Sequence, residues 1–139
     1  MDSLAYIAGI LDGEGSVTVK VKAYKSHVLH TLKVIITNTS SELIDYISIR
    51  IPGITSSYQP KNRRHKVVYT LCWHGSYAAD VLELLLPYLV VKRDVALVGL
   101  EMWDECFASR ERKSALTEAE IILRKSYKDR ISILNIRGN

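Results

Sequence analysis

The apolar positions change period several times along the chain, and each change marks an element. Leu4, Ile7, Ala8 and Leu11 recur at helical spacing, so residues 3–14 read as a helix with Asp2 or Ser3 as its cap. Gly13 and Gly15 close it. The pattern then alternates. Val17, Val19 and Val21 take one side and Ser16, Thr18, Lys20 and Lys22 the other, which describes a half-buried strand over 15–23. Residues 24–27 turn the chain, and the β-branched stretch 28–37 returns as a second strand. Ser40 or Ser41 caps a helix over about 41–50 with Leu43, Ile44 and Ile47 inward, and Pro52-Gly53 stops it. A second hairpin follows, with strands at 54–59 and 66–73 around a basic loop from Pro60 to His65. Gly75 and Ser76 open a helix that carries Ala78, Val81, Leu82 and Leu85 on its apolar side and ends at Pro87. A further helix covers about 92–108, Arg110 to Lys113 form a charged connection, and Thr117 caps a last helix over 118–131.

This order predicts an α+β fold. An αββαββα core over about 3–108 is built on one four-stranded antiparallel sheet, with helices on one face and extra C-terminal helices, in a single domain spanning 1–139. The other sheet face is left without cover. Alternation assigns Ser16, Thr18, Lys20 and Lys22 to it from the first strand, and Thr31 and Lys33 with Leu29 and Ile35 from the second. The third strand is expected to add Thr55, Ser57, Gln59 and Lys61, and the fourth Lys66, Val68 and Thr70. Short polar and cationic side chains of this kind donate to phosphates and base edges, and a twisted β-ribbon fits a major groove. A plain solvated sheet face has the same pattern. The loop Lys61-Asn62-Arg63-Arg64-His65-Lys66 packs four cations into six residues and favours a phosphate-binding tip, although such runs also occur as solvated turns.

Composition narrows the classes. At 139 residues and 47% hydrophobic, the chain has the size of one domain and can bury a core. Nineteen Lys and Arg against 15 Asp and Glu give +4, which permits a polyanionic partner and is equally common in ordinary basic proteins. Cys72 and Cys106 lack the spacing of a zinc site and read as thiols of a reducing compartment. No apolar run approaches a membrane span, and no signal peptide is evident at Met1-Asp2-Ser3-Leu4. A soluble intracellular protein is expected, with bacterial cytoplasm and organelle both open.

The first helix holds the specific signal. Ala5, Gly9 and Gly13 recur every four residues and leave a stripe with almost no side chain, along which two helix backbones can approach closely. Glycine inside a helix costs ~1 kcal/mol against alanine, and close helix contact is the natural compensation. At the helix end Asp12 and Glu14 alternate with Gly13 and Gly15. A carboxylate beside exposed glycine carbonyls can hold a hard cation such as Mg²⁺; ordinary surface charge is the commoner meaning of two acids near a helix end.

The string Ile7-Ala8-Gly9-Ile10-Leu11-Asp12-Gly13-Glu14-Gly15 decides between them, because it resembles the LAGLIDADG motif. Ala8, Gly9, Asp12 and Gly15 match; Ile7, Ile10 and Leu11 are aliphatic exchanges, Gly13 replaces Ala and Glu14 replaces Asp. The element order resembles the core of the LAGLIDADG homing endonucleases, in which the sheet forms a DNA-binding saddle. The resemblance implies a site-specific endonuclease that cuts both strands of double-stranded DNA with Mg²⁺, for which Mn²⁺ substitutes. It also implies that motif helices of two subunits pack together. The motif occurs once here and no repeat is found, so a homodimer and a roughly palindromic target are expected, with no membrane and no small-molecule substrate.

Site residues follow from the same resemblance. Glu14 and the carbonyl of Gly13 become metal ligands, and Ala5, Gly9, Asp12 and Gly13 the dimer interface, with Asp12 stabilising the helix end. Asn38 ends the second strand where a water-ordering amide is expected, or serves as a simple cap. Leu86-Pro87-Tyr88-Leu89-Val90-Val91-Lys92-Arg93 resembles the segment with a basic residue near the scissile phosphate; Lys92 is chosen, then Arg93. The catalytic set is thus Glu14, Asn38 and Lys92. DNA contacts are expected from Ser16, Thr18, Lys20, Lys22, Thr31 and Lys33, from Ser57, Gln59 and Lys61, and from Arg63, Arg64, Lys66 and Thr70. The main rival is a non-cutting DNA-binding regulator or RNA-splicing maturase on the same fold. The scattered His27, His30, His65 and His74 argue against a histidine-based metal finger.

Overall fold

The structure, a computed structural model, describes residues 2–25, 27–108, 110 and 115–138, with Arg137 and Gly138 described by backbone alone. The charged connection expected from Arg110 to Lys113 lies outside the described residues apart from Arg110.

Helices and strands are interspersed along the described chain. Helix α1 (Ser3–Glu14) leads into strands β1 (Gly15–Ala23) and β2 (Val28–Asn38), then α2 (Ser41–Arg50). Strands β3 (Ile54–Tyr58) and β4 (Val68–His74) follow, then α3 (Ser76–Leu85), a 3-10 turn at Leu86–Tyr88, α4 (Arg93–Trp103), a π-helical turn at Asp104–Ala108, and α5 (Glu118–Gly138). The strands form one antiparallel sheet in the order β1-β2-β4-β3. The expected α+β architecture is present.

Local chemistry sets the boundaries. Asp2 caps α1 by accepting from the amides of Leu4 and Ala5 at 3.0 and 3.4 Å. Ser40 caps α2 through the amide of Leu43 at 3.2 Å. Gly75 turns the chain from β4 into α3 with φ of 60°, the left-handed region that favours glycine. Thr117 and Glu120 form a reciprocal capping box at α5, with bonds of 3.0 and 3.2 Å. The Thr117 amide and the Arg110 guanidinium, 2.6 Å away, pull the Glu120 carboxyl down to about 2.

All helices lie on one sheet face. Val17 and Val19 of β1, Leu32, Val34 and Ile36 of β2, and Leu71 and Trp73 of β4 are buried there. They pack against Ile7, Ala8 and Leu11 of α1, Ile44 and Ile47 of α2, and Val81, Leu82 and Leu85 of α3. Met102 of α4 and Tyr127 and Ile131 of α5 complete the core. The alternate residues of the same strands face the other way, where no helix packs among the described residues.

Several boundaries differ from the sequence reading: β4 begins at Val68 rather than at 66, and α5 runs to Gly138 rather than to 131. The helix expected over 92–108 is α-helical only to Trp103 and widens into the π-turn, where the Trp103 and Phe107 rings stack at 5.2 Å. The larger correction concerns β3. Its register pairs Ser56 with Thr70 and Ser57 with Tyr69, so Thr55 and Ser57 lie on the helix side and Ser56 takes the open face. The pairing with β4 sets this parity, since all five residues of β3 are exposed and supply no alternation of their own, and the strand ends at Tyr58 opposite Val68. Gln59 lies beyond the strand and donates from Nε2 to the carbonyl of His65 at 2.9 Å, bracing the basic loop.

Candidate active site and nucleic-acid face

The C-terminal end of α1 gathers the chemistry. The helix runs directly into β1, and the junction is tight. A Cβ on Gly15 would lie 2.3 Å from Leu11 Cδ1 and 3.1 Å from the carbonyl oxygen of Ile35, so any side chain there forces its neighbours to shift. This crossing leaves Gly13 and Glu14 exposed at the rim of the sheet.

Asn38, the last residue of β2, reaches Glu14: its Nδ2 donates to Glu14 Oε2. The amide's other end is fixed, because Asn38 Oδ1 accepts from the Ser40 amide at 2.7 Å in the turn before α2. The turn therefore aims the nitrogen at the carboxylate. Asp12 takes a different role. Its carboxylate accepts from the amides of Val90 and Lys92, each at 2.9 Å, and ties α1 to the segment before α4. Lys92 is only 5% exposed, and its Nζ donates to the Asp12 carbonyl at 2.9 Å. The ammonium thus sits under the last turn of α1, where the helix dipole favours a cation. Arg93 turns away and donates to the Leu86 carbonyl at 3.2 Å. The structure brings Glu14, Asn38, Asp12 and Lys92 together.

The stripe of small residues is open. Ala5, Gly9 and Gly13 are exposed, and a Cβ on Gly9 or Gly13 would meet nothing within 4 Å. Tyr6 of the same helix is partly exposed, and Val90, whose amide donates to Asp12, is 80% exposed.

The uncovered sheet face is banded. The row next to the Glu14 end joins Thr37, Thr70 and Ser56, and the last two share a hydroxyl–hydroxyl hydrogen bond. The next joins Ser16, Ile35, Cys72 and Ile54; then come Thr18, Lys33 and His74, then Lys20 with Thr31, then Lys22 with Leu29. Burial, then the Lys33 and Lys20 ammoniums, lower the pKa of His74 and keep its ring neutral at physiological pH. Lys61, Arg63, Arg64 and Lys66 are all exposed in the hairpin loop, which an Asn62 turn stabilises by accepting from the Arg64 amide at 3.1 Å. The sequence reading missed Thr37, Cys72 and His74, although β4 alternation carried past Thr70 points to the last two. It missed Ser56 because β3 has no apolar alternation to set its parity.

No protein-family model and no curated protein sequence matches the chain. Solved structures do, and they show the fold: it is the fold of the LAGLIDADG homing endonucleases. The chain superposes on I-CvuI in complex with its DNA target in the presence of calcium with a TM-score of 0.76 and 17% identity, covering 95% of this chain and 81% of that one. The homing endonuclease I-TnaI gives 0.70 and 16%, covering 98% and 97%. I-LtrWI bound to target DNA gives 0.72 and 18%, with 91% of this chain spanning 43% of the other. Among the described residues, no helix is long and apolar enough to cross a membrane.

Proposed function

We propose that this chain is a site-specific homing endonuclease that acts as a homodimer and cuts both strands of a long, roughly palindromic DNA duplex by metal-dependent phosphodiester hydrolysis. The observation that carries the reading is the Glu14–Asn38 pair at the end of a helix whose glycine stripe is open to a second copy. One chain offers one such carboxylate, and a duplex has two strands, so a twofold pair is the natural assembly.

The donors fit a hard divalent cation. Glu14 and the main chain of Gly13 are exposed oxygen donors, whereas Asp12 is committed to the amides of Val90 and Lys92. Among the described residues, no three or more His, Cys, Asp or Glu converge, so the remaining ligands would come from DNA phosphates and a second chain. Mg²⁺, with Mn²⁺ as substitute, would lower the pKa of a bound water and screen the leaving oxygen. The chain's own residues do the rest. Asn38 holds the Glu14 carboxylate in one orientation. Lys92 places a positive charge under the helix end that a phosphate would approach. The lysine-rich sheet face and the hairpin loop attract the backbone, and binding is therefore salt-sensitive.

Glu14→Gln tests the reading. On a target recovered by cleavage-site selection, cutting should fall by about two to three orders of magnitude, the scale for losing a group that stabilises transition-state charge, while gel-shift affinity stays within a few fold. A variant that cuts at the wild-type rate removes Glu14 from the site. A wild-type protein that binds its duplex and never cuts it with Mg²⁺ or Mn²⁺ is instead the regulator or maturase.

A further inference from the structure

The band Ser16–Ile35–Cys72–Ile54 carries the widest apolar stretch of the open face, three neighbouring strands across, whereas Leu29 and the Tyr58–Val68 pair are narrower. Ile35 lies between the buried Val34 and Ile36, and Cys72 between the buried Leu71 and Trp73, so both point away from the core. The register then sets Ile35, Cys72 and Ile54 side by side across three strands. Ile54 is 66% exposed, and the band opens at its β3 end into a recess of about 520 Å³ that Ile54, Cys72, His74 and Tyr77 help to line. On one side lies the hydroxyl row of Thr37, Thr70 and Ser56, and on the other the row that holds Lys33 and His74.

Three apolar side chains side by side, fenced by hydroxyls and a lysine, form a contiguous patch rather than scattered surface residues. Their chemistry is that of a surface completed by something both anionic and locally apolar. The cations of Lys20, Lys22 and Lys33 select a polyanion, and a sheet fits its major groove. The major groove carries one apolar group, the 5-methyl of a pyrimidine, which accepts contact from aliphatic side chains. Bases without that methyl would set their polar edges against Ile35 and Ile54, which cannot hydrogen-bond.

We propose that the Ile35–Cys72–Ile54 band reads pyrimidine 5-methyl groups, so that each half-site of the target holds a methylated pyrimidine edge, thymine or 5-methylcytosine, against it. The inference rests on the DNA-binding reading above and specifies its substrate. The neighbouring Thr37–Thr70–Ser56 row and Lys33 read hydrogen-bonding edges on either side, and the band between them is the part of the face sensitive to a single carbon.

The test uses the full chain and a duplex recovered by site selection. Selected half-sites should hold thymine at one or two positions. Replacing each thymine by 2′-deoxyuridine, which removes only the methyl, should weaken binding about fourfold at those positions, the value of one buried methyl group. Where the selected base is cytosine, its 5-methyl form should bind tighter by the same factor, which separates the two sources. In Ile35→Ala or Ile54→Ala the penalty for deoxyuridine should vanish, while Lys33→Met should keep it. Ile54 sits on an exposed edge strand, so its variant retains the fold even if the Ile35 variant does not. If the wild-type protein binds specifically yet tolerates deoxyuridine everywhere, or if both alanine variants keep the penalty, the methyl-reading band is wrong and the endonuclease reading stands. If no duplex is bound specifically, both fall.

Discussion

Gly13 and Gly15 stand two positions apart, and a side chain would act on them through opposite terms. At Gly13 a Cβ meets nothing within 4 Å, so alanine there should firm the helix of the single chain by up to ~1 kcal/mol. At Gly15 the Cβ would press on Leu11 Cδ1 at 2.3 Å and on two backbone carbonyls at 3.0 and 3.1 Å. Leu11 is fully buried and has nowhere to go. Gly15→Ala should therefore destabilise by about 1–3 kcal/mol, the usual cost of overpacking, seen as a lower urea midpoint at unchanged slope. Equal stability would show that the helix–strand junction yields more easily than its contacts imply. This difference between glycines was not legible in the sequence, where all of them belong to one motif. Glu14 and Asn38 were legible as candidates, because the family resemblance points to both positions, and the fold brings the two side chains together. The burial of Lys92 was not, since only the fold brings its segment beneath Asp12.

At the scale of elements, legibility tracked the strength of alternation. β1 reads correctly because its valines alternate without a break, whereas all five residues of β3 are exposed and leave the parity of the strand to its partner. The length of α5 was also hidden: its apolar residues follow no single stripe, and the helix runs on to Gly138. That helix covers His30, which is 3% exposed on the inner face of β2 and whose Nδ1 has no hydrogen-bond partner among the described residues. Arg124 of α5 is buried nearby, with its guanidinium over the Phe107 ring at 4.1 Å and Nη2 donating to the Cys106 carbonyl at 2.8 Å. Burial first, then the charges of Arg124 and Lys128, lower the pKa of His30 below 6.5. The fold therefore favours the neutral ring. Above the unfolded value of about 6.5 this contributes no penalty; as pH falls through it, the unfolded chain takes up the proton first and stability declines until the folded value is passed. The urea midpoint should thus drop between pH 7.5 and 5.5. His30→Leu should flatten that slope, leaving the part due to His74, whose pKa is lowered as well. A slope unchanged in the variant would place the titration elsewhere.

For the whole molecule the decisive quantity is whether two copies meet along α1. On the endonuclease reading proposed above, a single chain presents half of what a duplex would require: one Glu14, one open sheet face and one basic hairpin. Its most exposed small-residue surface runs along Ala5, Gly9 and Gly13, with Tyr6 and Val90 beside it. Substituting Gly9 separates folding from assembly, because Gly9 is exposed and within one chain nothing stands within 4 Å of a Cβ placed there. Gly9→Leu should leave the circular dichroism spectrum intact and keep the monomer folded. Between two copies the same side chain enters a seam built for hydrogen atoms, and it enters twice by symmetry. At about 1–3 kcal/mol of overpacking per copy, the pair should dissociate at least about thirtyfold more readily. Sedimentation should then find a monomer at concentrations where the wild-type protein is a dimer, and double-strand cutting should disappear with it. A Gly9→Leu protein that remains a dimer and still cuts would mean that the two carboxylates are brought to the duplex by some other face.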